Sequence, residues 1–258
     1  MTEQHRFDRE YWEQHWAGGA LGTHPPNPYL SREVGGLVPG TALDAGCGEG
    51  AEATWLASNG WQVTAADISA EALTRAATRA AASEAAEHAA DHAAAERAAG
   101  RGSAGRAAGR GSAGRGSAGR GSAGRGSAGR GSAGRGSAGR VQWVEADLSV
   151  WEPSTQYDLV MTHYAHPAMP QLEFYDRLAT WVAPGGTLLI VGHLHTHTSG
   201  HDHHPPAEAS ATAAAITARL DLTDWEVVTA EEQHRTLAAP GGREATLHDV
   251  IVRATRHR

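Results

Sequence analysis

Three observations predict an α/β fold: a three-layer sandwich built on a mostly parallel seven-stranded sheet with a carboxyl-terminal antiparallel hairpin. Short apolar runs ending in an acid or a polar turn recur between helix-forming stretches. A glycine-rich turn joins the first of these runs to its helix. The chain then finishes with two alternating segments on either side of Pro240-Gly-Gly242, where a longer α/β chain would add further strand and helix units.

The first unit carries the most information. Thr41 to Ala45 is short and apolar, follows Pro39-Gly40, and reads as a buried strand. Ala51 to Asn59 carries helix formers and stops at Gly60. Between them, Gly46, Gly48 and Gly50 let backbone come close to a ligand where a Cβ would clash, and the first N–H groups of the helix face the same place. Gln62 to Asp67 reads as the second strand, and the helix that begins near Ser69 can continue through the alanine-rich Ala81 to Ala99. Val141 to Leu148 and Tyr157 to His163 read as the third and fourth strands. Met169 to Ala183 is an amphipathic helix with Leu172, Tyr175, Leu178 and Val182 on one face. Val182 to Gly192 supplies that helix's end, a Pro-Gly-Gly turn and the fifth strand. Pro205 to Leu220 reads as a helix, and Trp225 to Thr229 and Thr246 to Arg253 as the closing strands. In such a sheet the ligand lies beyond the carboxyl ends of the strands, where strand order reverses.

Residues 81–140 depart from this pattern and read as a low-complexity, flexible insertion in a single domain spanning 1–258. From Arg101 to Arg140 a Gly-Ser-Ala-Gly-Arg repeat has nothing larger than alanine except arginine, so it has no apolar surface to offset the entropy of ordering. Without these residues 198 of the 258 remain, enough for one core. All 22 basic residues are arginine, and ten of them fall between Arg97 and Arg140. The rest of the chain therefore sets 12 arginines against 25 acids, a balance of −13 that repels phosphate backbones and points to a small molecule over a nucleic acid. Cys47 is the lone cysteine, which suits a reducing, cytoplasmic setting and a packing role in the turn. No stretch approaches a membrane span, and the first 30 residues lack an apolar signal core.

Two cofactor classes fit the glycine turn. Gly46-x-Gly48-x-x-Ala51 satisfies the relaxed dinucleotide fingerprint, and Asp67 stands near the expected offset of roughly 20 residues. Yet Leu43-Asp-Ala-Gly-Cys-Gly-Glu-Gly50 resembles motif I of the class I S-adenosylmethionine-dependent methyltransferases, whose fold is Rossmann-like, and a carboxylate at Asp44 would repel a pyrophosphate. The resemblance continues in order through the second to fifth strands. It implies that S-adenosylmethionine lies across the strand ends, with Asp44 near its methionine end and Gly46, Cys47, Gly48 and Gly50 cradling it. It further implies that Asp67 binds the ribose hydroxyls, that Asp147 accepts from the adenine amino group and that Ile68 and Leu148 flank the ring; the strand order brings Thr162 to the same cleft as a further cofactor-binding residue.

The aromatic amino-terminal run, with Tyr11, Trp12 and Trp16 on one helical face, is similar to the lid of the small-molecule branch that includes tellurite-resistance and thiopurine-type enzymes. In that family the loop after the fourth strand faces the substrate, which makes His166, His163 and Tyr164 the expected catalytic residues; a histidine near neutral pKa suits a general base. The expected partner is a small methyl acceptor. Rival readings are an NAD(P)-dependent oxidoreductase and a non-catalytic metal-binding protein on the same fold. His193, His195 and His197 alternate, so an extended chain would set them on one face, and with the following histidines they suggest a divalent ion. No familiar ligand spacing appears among them, and the expectation is a solvated loop with no resident metal.

Overall fold

The computed structural model describes residues 7–17, 25–107, 141–194, 210–239 and 243–258. Seven strands form one sheet in the order β3-β2-β1-β4-β5-β7-β6. They are β1 (Thr41–Ala45), β2 (Gln62–Asp67), β3 (Val141–Glu145), β4 (Tyr157–His163), β5 (Val182–His193), β6 (Trp225–Ala239) and β7 (Arg243–Arg256). β1 pairs in parallel with β2 and β4, β2 with β3, and β4 with β5, while β7 runs antiparallel to both β5 and β6. The order reverses between β1 and β4, so the ligand crevice expected of such a sheet lies at their carboxyl ends.

Six helices accompany the sheet among the described residues: α1 (Arg9–Ala17), α2 (Pro28–Val34), α3 (Ala51–Ser58), α4 (Ala70–Ala107), α5 (Gln171–Thr180) and α6 (Ala213–Thr217). Two buried clusters sandwich the strands. One gathers Leu43, Val160, Phe174, Leu178, Leu188, Ile190 and Val252, and the other Leu30, Leu56, Trp61, Leu159, Leu189 and Ile251. Alternate strand residues therefore face opposite layers, as a sheet covered on both sides requires.

Several boundaries differ from the sequence reading, each for a local reason. α5 is shorter than Met169 to Ala183 because Pro170 sits at its amino-terminal cap and Val182 leaves the helix to pair with Tyr157. α6 covers Ala213–Thr217 within the expected Pro205 to Leu220 and begins where the Thr212 side chain accepts from the Ala215 N–H; residues 205–209 lie outside the described residues. β6 and β7 extend well past Thr229 and Arg253, because polar residues such as Glu231 to Thr236 satisfy ladder bonds without any apolar alternation to announce them. α2 is absent from the sequence reading although its signals are there: Asn27 caps it by accepting from the Tyr29 N–H, and Pro28 opens it. α4 buries Ala72, Leu73, Ala76 and Ala80 against the sheet and runs on to Ala107, seven residues into the stretch read as loop. The remaining repeat, 108–140, and His195 and His197 lie outside the described residues. No described helix is long and apolar enough to cross a membrane.

Candidate functional site

A cavity of about 530 Å³ opens at the carboxyl ends of β1, β2, β3 and β4, under α1. Its floor is the glycine turn. Gly46, Gly48 and Gly50 all have positive φ, at 79°, 50° and 71°, which side chains with a Cβ rarely adopt. A Cβ on Gly46 would collide with that of Ala165, and one on Gly50 would meet the Trp143 ring. Most of the turn's N–H groups are already engaged within the protein. Those of Gly46 and Cys47 donate to Ala66 O at 2.8 and 3.1 Å, that of Gly48 to Asp67 Oδ2 at 2.8 Å, and that of Gly50 to Cys47 O at 2.8 Å. A pyrophosphate cradle needs those donors free, so this turn shapes a cleft without offering a phosphate nest.

Carboxylates dominate the rim. Asp44 is 1% exposed, and its Oδ2 has no hydrogen-bond partner among the described residues. Burial, together with the nearby charges of Glu52 and Asp67, pushes its pKa well up, against the Ala53 N–H that donates to it. Glu52 also lines the cavity, and its Oε1 accepts from the Asn27 N–H at 2.9 Å. Asp67 spends one oxygen on the Gly48 N–H and the other on the Ser69 N–H at 2.9 Å; burial raises its pKa, and these bonds restrain the rise. Asp147, half-buried on the same wall, accepts from the Ser149 N–H and hydroxyl at 2.9 and 2.6 Å. Glu49 is held to α4 by Arg75 at 3.3 Å and Arg79 at 2.5 Å, which fixes the turn against that helix. The arrangement disfavours an anion and suits a ligand carrying positive charge.

The roof is aromatic. Phe7, Tyr11, Trp12, His15 and Trp16 line the cavity, with Trp16 lying directly over Gly48. α1 is pinned by Trp12 Nε1 to His166 O at 3.3 Å and by Glu13, which accepts from Ser69 Oγ at 3.0 Å and from the N–H groups of Ala70 and Glu71 at 2.8 and 3.3 Å. Glu13 thereby serves the exposed donors at the start of α4.

The far end of the cavity is lined by His163, Tyr164, His166 and His193. Neither ring nitrogen of His163 has a hydrogen-bond partner among the described residues, and burial lowers its pKa. His166 is buried, which lowers its pKa too; its Nδ1 donates to Gln171 Oε1 at 3.2 Å, since Gln171 Nε2 donates to Ala165 O. Tyr164 sits at φ 58°, and its hydroxyl takes donors from Asn27 Nδ2 at 2.9 Å and Arg235 Nη2 at 3.0 Å. Behind them, Asp249 is completely buried and receives His193 Nδ1 at 3.0 Å, the Tyr29 hydroxyl at 3.2 Å and Arg235 Nε.

The family model for thiopurine S-methyltransferase matches residues 7–101, a span that covers α1, the glycine turn and Asp67. The thiopurine S-methyltransferase of Pseudomonas putida (strain W619) is 35% identical over 76 residues, 26% of this chain and 34% of that protein. The ribosomal RNA small subunit methyltransferase C of Alcanivorax borkumensis is 53% identical over 36 residues, 14% of this chain and 11% of that protein. The chain thus spans about a third and a tenth of the length of these two curated relatives. The crystal structure of TehB from Haemophilus influenzae superposes with a TM-score of 0.55 at 12% identity, covering 95% of this chain and 67% of that one.

Over residues 7–101 the chain is similar to thiopurine S-methyltransferase, and its fold is that of solved methyltransferase structures. Within this methyltransferase fold, Asp44, Gly46, Cys47, Gly48, Gly50, Asp67, Ile68, Asp147 and Leu148 all reach one cavity, as do Tyr11, Trp12, Trp16, His163, Tyr164 and His166. Thr162 does not line it: the side chain is buried and its hydroxyl donates to Ala45 O at 2.8 Å, tying β4 to β1. Cys47 is buried, and burial pushes its thiol pKa well up, as befits a packing residue. Sequence reasoning missed Glu13, Asn27, Glu52, Arg235 and Asp249. Asn27 carried a legible signal as a cap before proline; the others are ordinary polar residues in sequence and acquire a role only where distant elements meet.

Proposed function

We propose that the protein is a cytoplasmic S-adenosylmethionine-dependent methyltransferase acting on a small-molecule nucleophile. The observation that carries the reading is Asp44: a buried carboxylate with an oxygen unpartnered among the described residues, on the wall of a cleft where most of the turn's backbone donors are already spent. Such a group is costly until a cation meets it, and S-adenosylmethionine brings a sulfonium and an ammonium. The pyrophosphate of a dinucleotide would bring further negative charge to this rim.

Asp44 and Glu52 would hold the charged methionine end, Asp67 the ribose hydroxyls and Asp147 the adenine amino group, with Ile68 and Leu148 packed on the ring. When bound, the cofactor supplies an electrophilic methyl with a neutral leaving group, so the protein's work is alignment and water exclusion. Glu13 and Trp12 hold α1 down over the cleft, and the aromatic roof keeps it dry. His163, Tyr164 and His166 shape the far end, where the acceptor enters. The acidic balance outside residues 81–140 supports a small acceptor over a nucleic acid, and the single free cysteine supports a reducing compartment.

Titration calorimetry with S-adenosylhomocysteine, NADH and NADPH tests the assignment. Binding of the first alone is expected, and binding of a nicotinamide cofactor in its place would overturn it. A product-detecting screen over thiols, selenite, tellurite, amines and phenols then identifies the acceptor class.

A further inference from the structure

We infer that His193, oriented by Asp249, takes the proton from the methyl acceptor, and therefore that the acceptor is a hydroxyl or amine nucleophile still protonated at neutral pH. This rests on the methyltransferase reading above.

The geometry is that of an acid and imidazole pair. His193 ends β5 and lines the cavity, while its Nδ1 lies 3.0 Å from Asp249 Oδ1 on the neighbouring β7. The contact fixes the tautomer: Nδ1 carries the hydrogen and donates it, so Nε2 is the nitrogen left with a lone pair for a ligand. The Tyr164 ring stacks on the imidazole, with centroids 3.9 Å apart and planes 17° off parallel, and prevents it from swinging.

Asp249 is itself held from three sides. Its Oδ2 receives Arg235 Nε and the Tyr29 hydroxyl, which leaves Oδ1 to His193. Burial pushes the Asp249 pKa up, but the bonds from His193 and Arg235 outweigh it and keep the carboxyl below its usual range, so it stays ionised. The charged and titratable groups around His193 are thus Asp249 and Arg235 from the hairpin, Tyr29 from α2, and Tyr164 and His166 from the loop after β4.

The other two histidines are less well equipped. His166 is oriented by a neutral amide, and the His163 ring has no hydrogen-bond partner among the described residues. Of the three, His193 alone would hold an incoming proton on a ring backed by an ionised carboxylate. In the step, the acceptor's lone pair bonds to the methyl carbon, the carbon–sulfur bond breaks with its electron pair on sulfur, and the acceptor's proton passes to His193 Nε2. Asp249 stabilises the resulting imidazolium, which returns the proton to water after product leaves. A selenide, telluride or thiolate needs no such group, so the pair points away from acceptors already ionised.

The test compares the full-length protein with His193→Gln and Asp249→Asn. Nitrogen-15 spectra of the histidine rings, with His193 assigned by its loss in His193→Gln, are expected to show the Nδ1–H form in the wild type; the Nε2–H form would overturn the pair whatever the enzyme binds. Affinity for S-adenosylhomocysteine is expected to stay within about twofold in His193→Gln. Absence of that affinity in the wild type itself would overturn the methyltransferase reading, and with it the proton transfer, while the spectra still judge the ring assignment. Turnover of phenols and amines is expected to fall about 100-fold or more in His193→Gln. Unchanged turnover, or wild-type activity confined to thiols and chalcogen anions, would overturn the proposal. Asp249→Asn disturbs a buried network, so if that variant misfolds the His193→Gln measurements decide on their own.

Discussion

The two ends of the cleft are built differently. The end around Asp44, Gly48, Asp67 and Asp147 is made by short turns that each follow a parallel strand, and its bonds run between adjacent strand ends, such as Gly48 N–H to Asp67. The end around Tyr164, His166 and His193 is assembled from remote pieces: Asn27 reaches Tyr164 across 137 residues, and Tyr29 reaches Asp249 across 220. The first end is set by strand register, and the second by where a long hairpin and an amino-terminal segment come to rest. A cofactor shared by many enzymes suits the first, and an acceptor peculiar to one enzyme suits the second.

Substitutions can separate or join the two ends. Gly46→Ala should have the largest effect because it strikes both: it forces a Cβ into the left-handed region and against Ala165 in the loop after β4. Together the backbone strain and overpacking should cost about 2–4 kcal/mol, read as a lower denaturant midpoint. Asp67→Ala stays within the first end and removes both the anchor of the Gly48 N–H and the expected ribose contact. A loss of about 1.5–3 kcal/mol in S-adenosylhomocysteine affinity is expected by calorimetry, and an unchanged value would show the cofactor misplaced.

Asp44→Asn should move two quantities in opposite directions. Because the carboxyl's pKa is raised in the empty fold, its ionisation destabilises that fold, fully above the raised value; the penalty disappears as pH falls through that value toward the ordinary carboxylate pKa of about 4. The asparagine variant should therefore melt a few degrees higher when empty, about 1 kcal/mol or more, yet bind the cationic cofactor at least about tenfold more weakly. The same sign predicts that wild-type affinity for S-adenosylmethionine falls on acidification through the raised value, which calorimetry across pH measures. Glu13→Gln should have the smallest effect. It weakens the carboxylate at the start of α4 and should speed release of S-adenosylhomocysteine by roughly two- to fivefold in stopped flow.

The part of the cleft legible in the sequence was the first end. The runs Thr41–Ala45, Gln62–Asp67 and Tyr157–His163 coincide with β1, β2 and β4, because each is a buried strand bounded by glycine, proline or an acid. Tyr11, Trp12 and Trp16 also reach the cavity as their helical spacing suggests. Thr162 lies at the right place along β4 for a cofactor contact, but strand alternation turns its side chain inward to Ala45.

What the sequence determined by itself was the α/β order, the glycine turn and the three acids at the carboxyl ends of the strands, since these depend on contacts between residues close in chain or in neighbouring strands. The tertiary structure alone decided that Glu13 latches α1 onto α4, that most of the turn's N–H groups are spent and so refuse a phosphate, and that a carboxylate on β7 orients a histidine at the end of β5. Those outcomes depend on side chains from segments that no local periodicity relates, brought together only once the sheet has closed around its core.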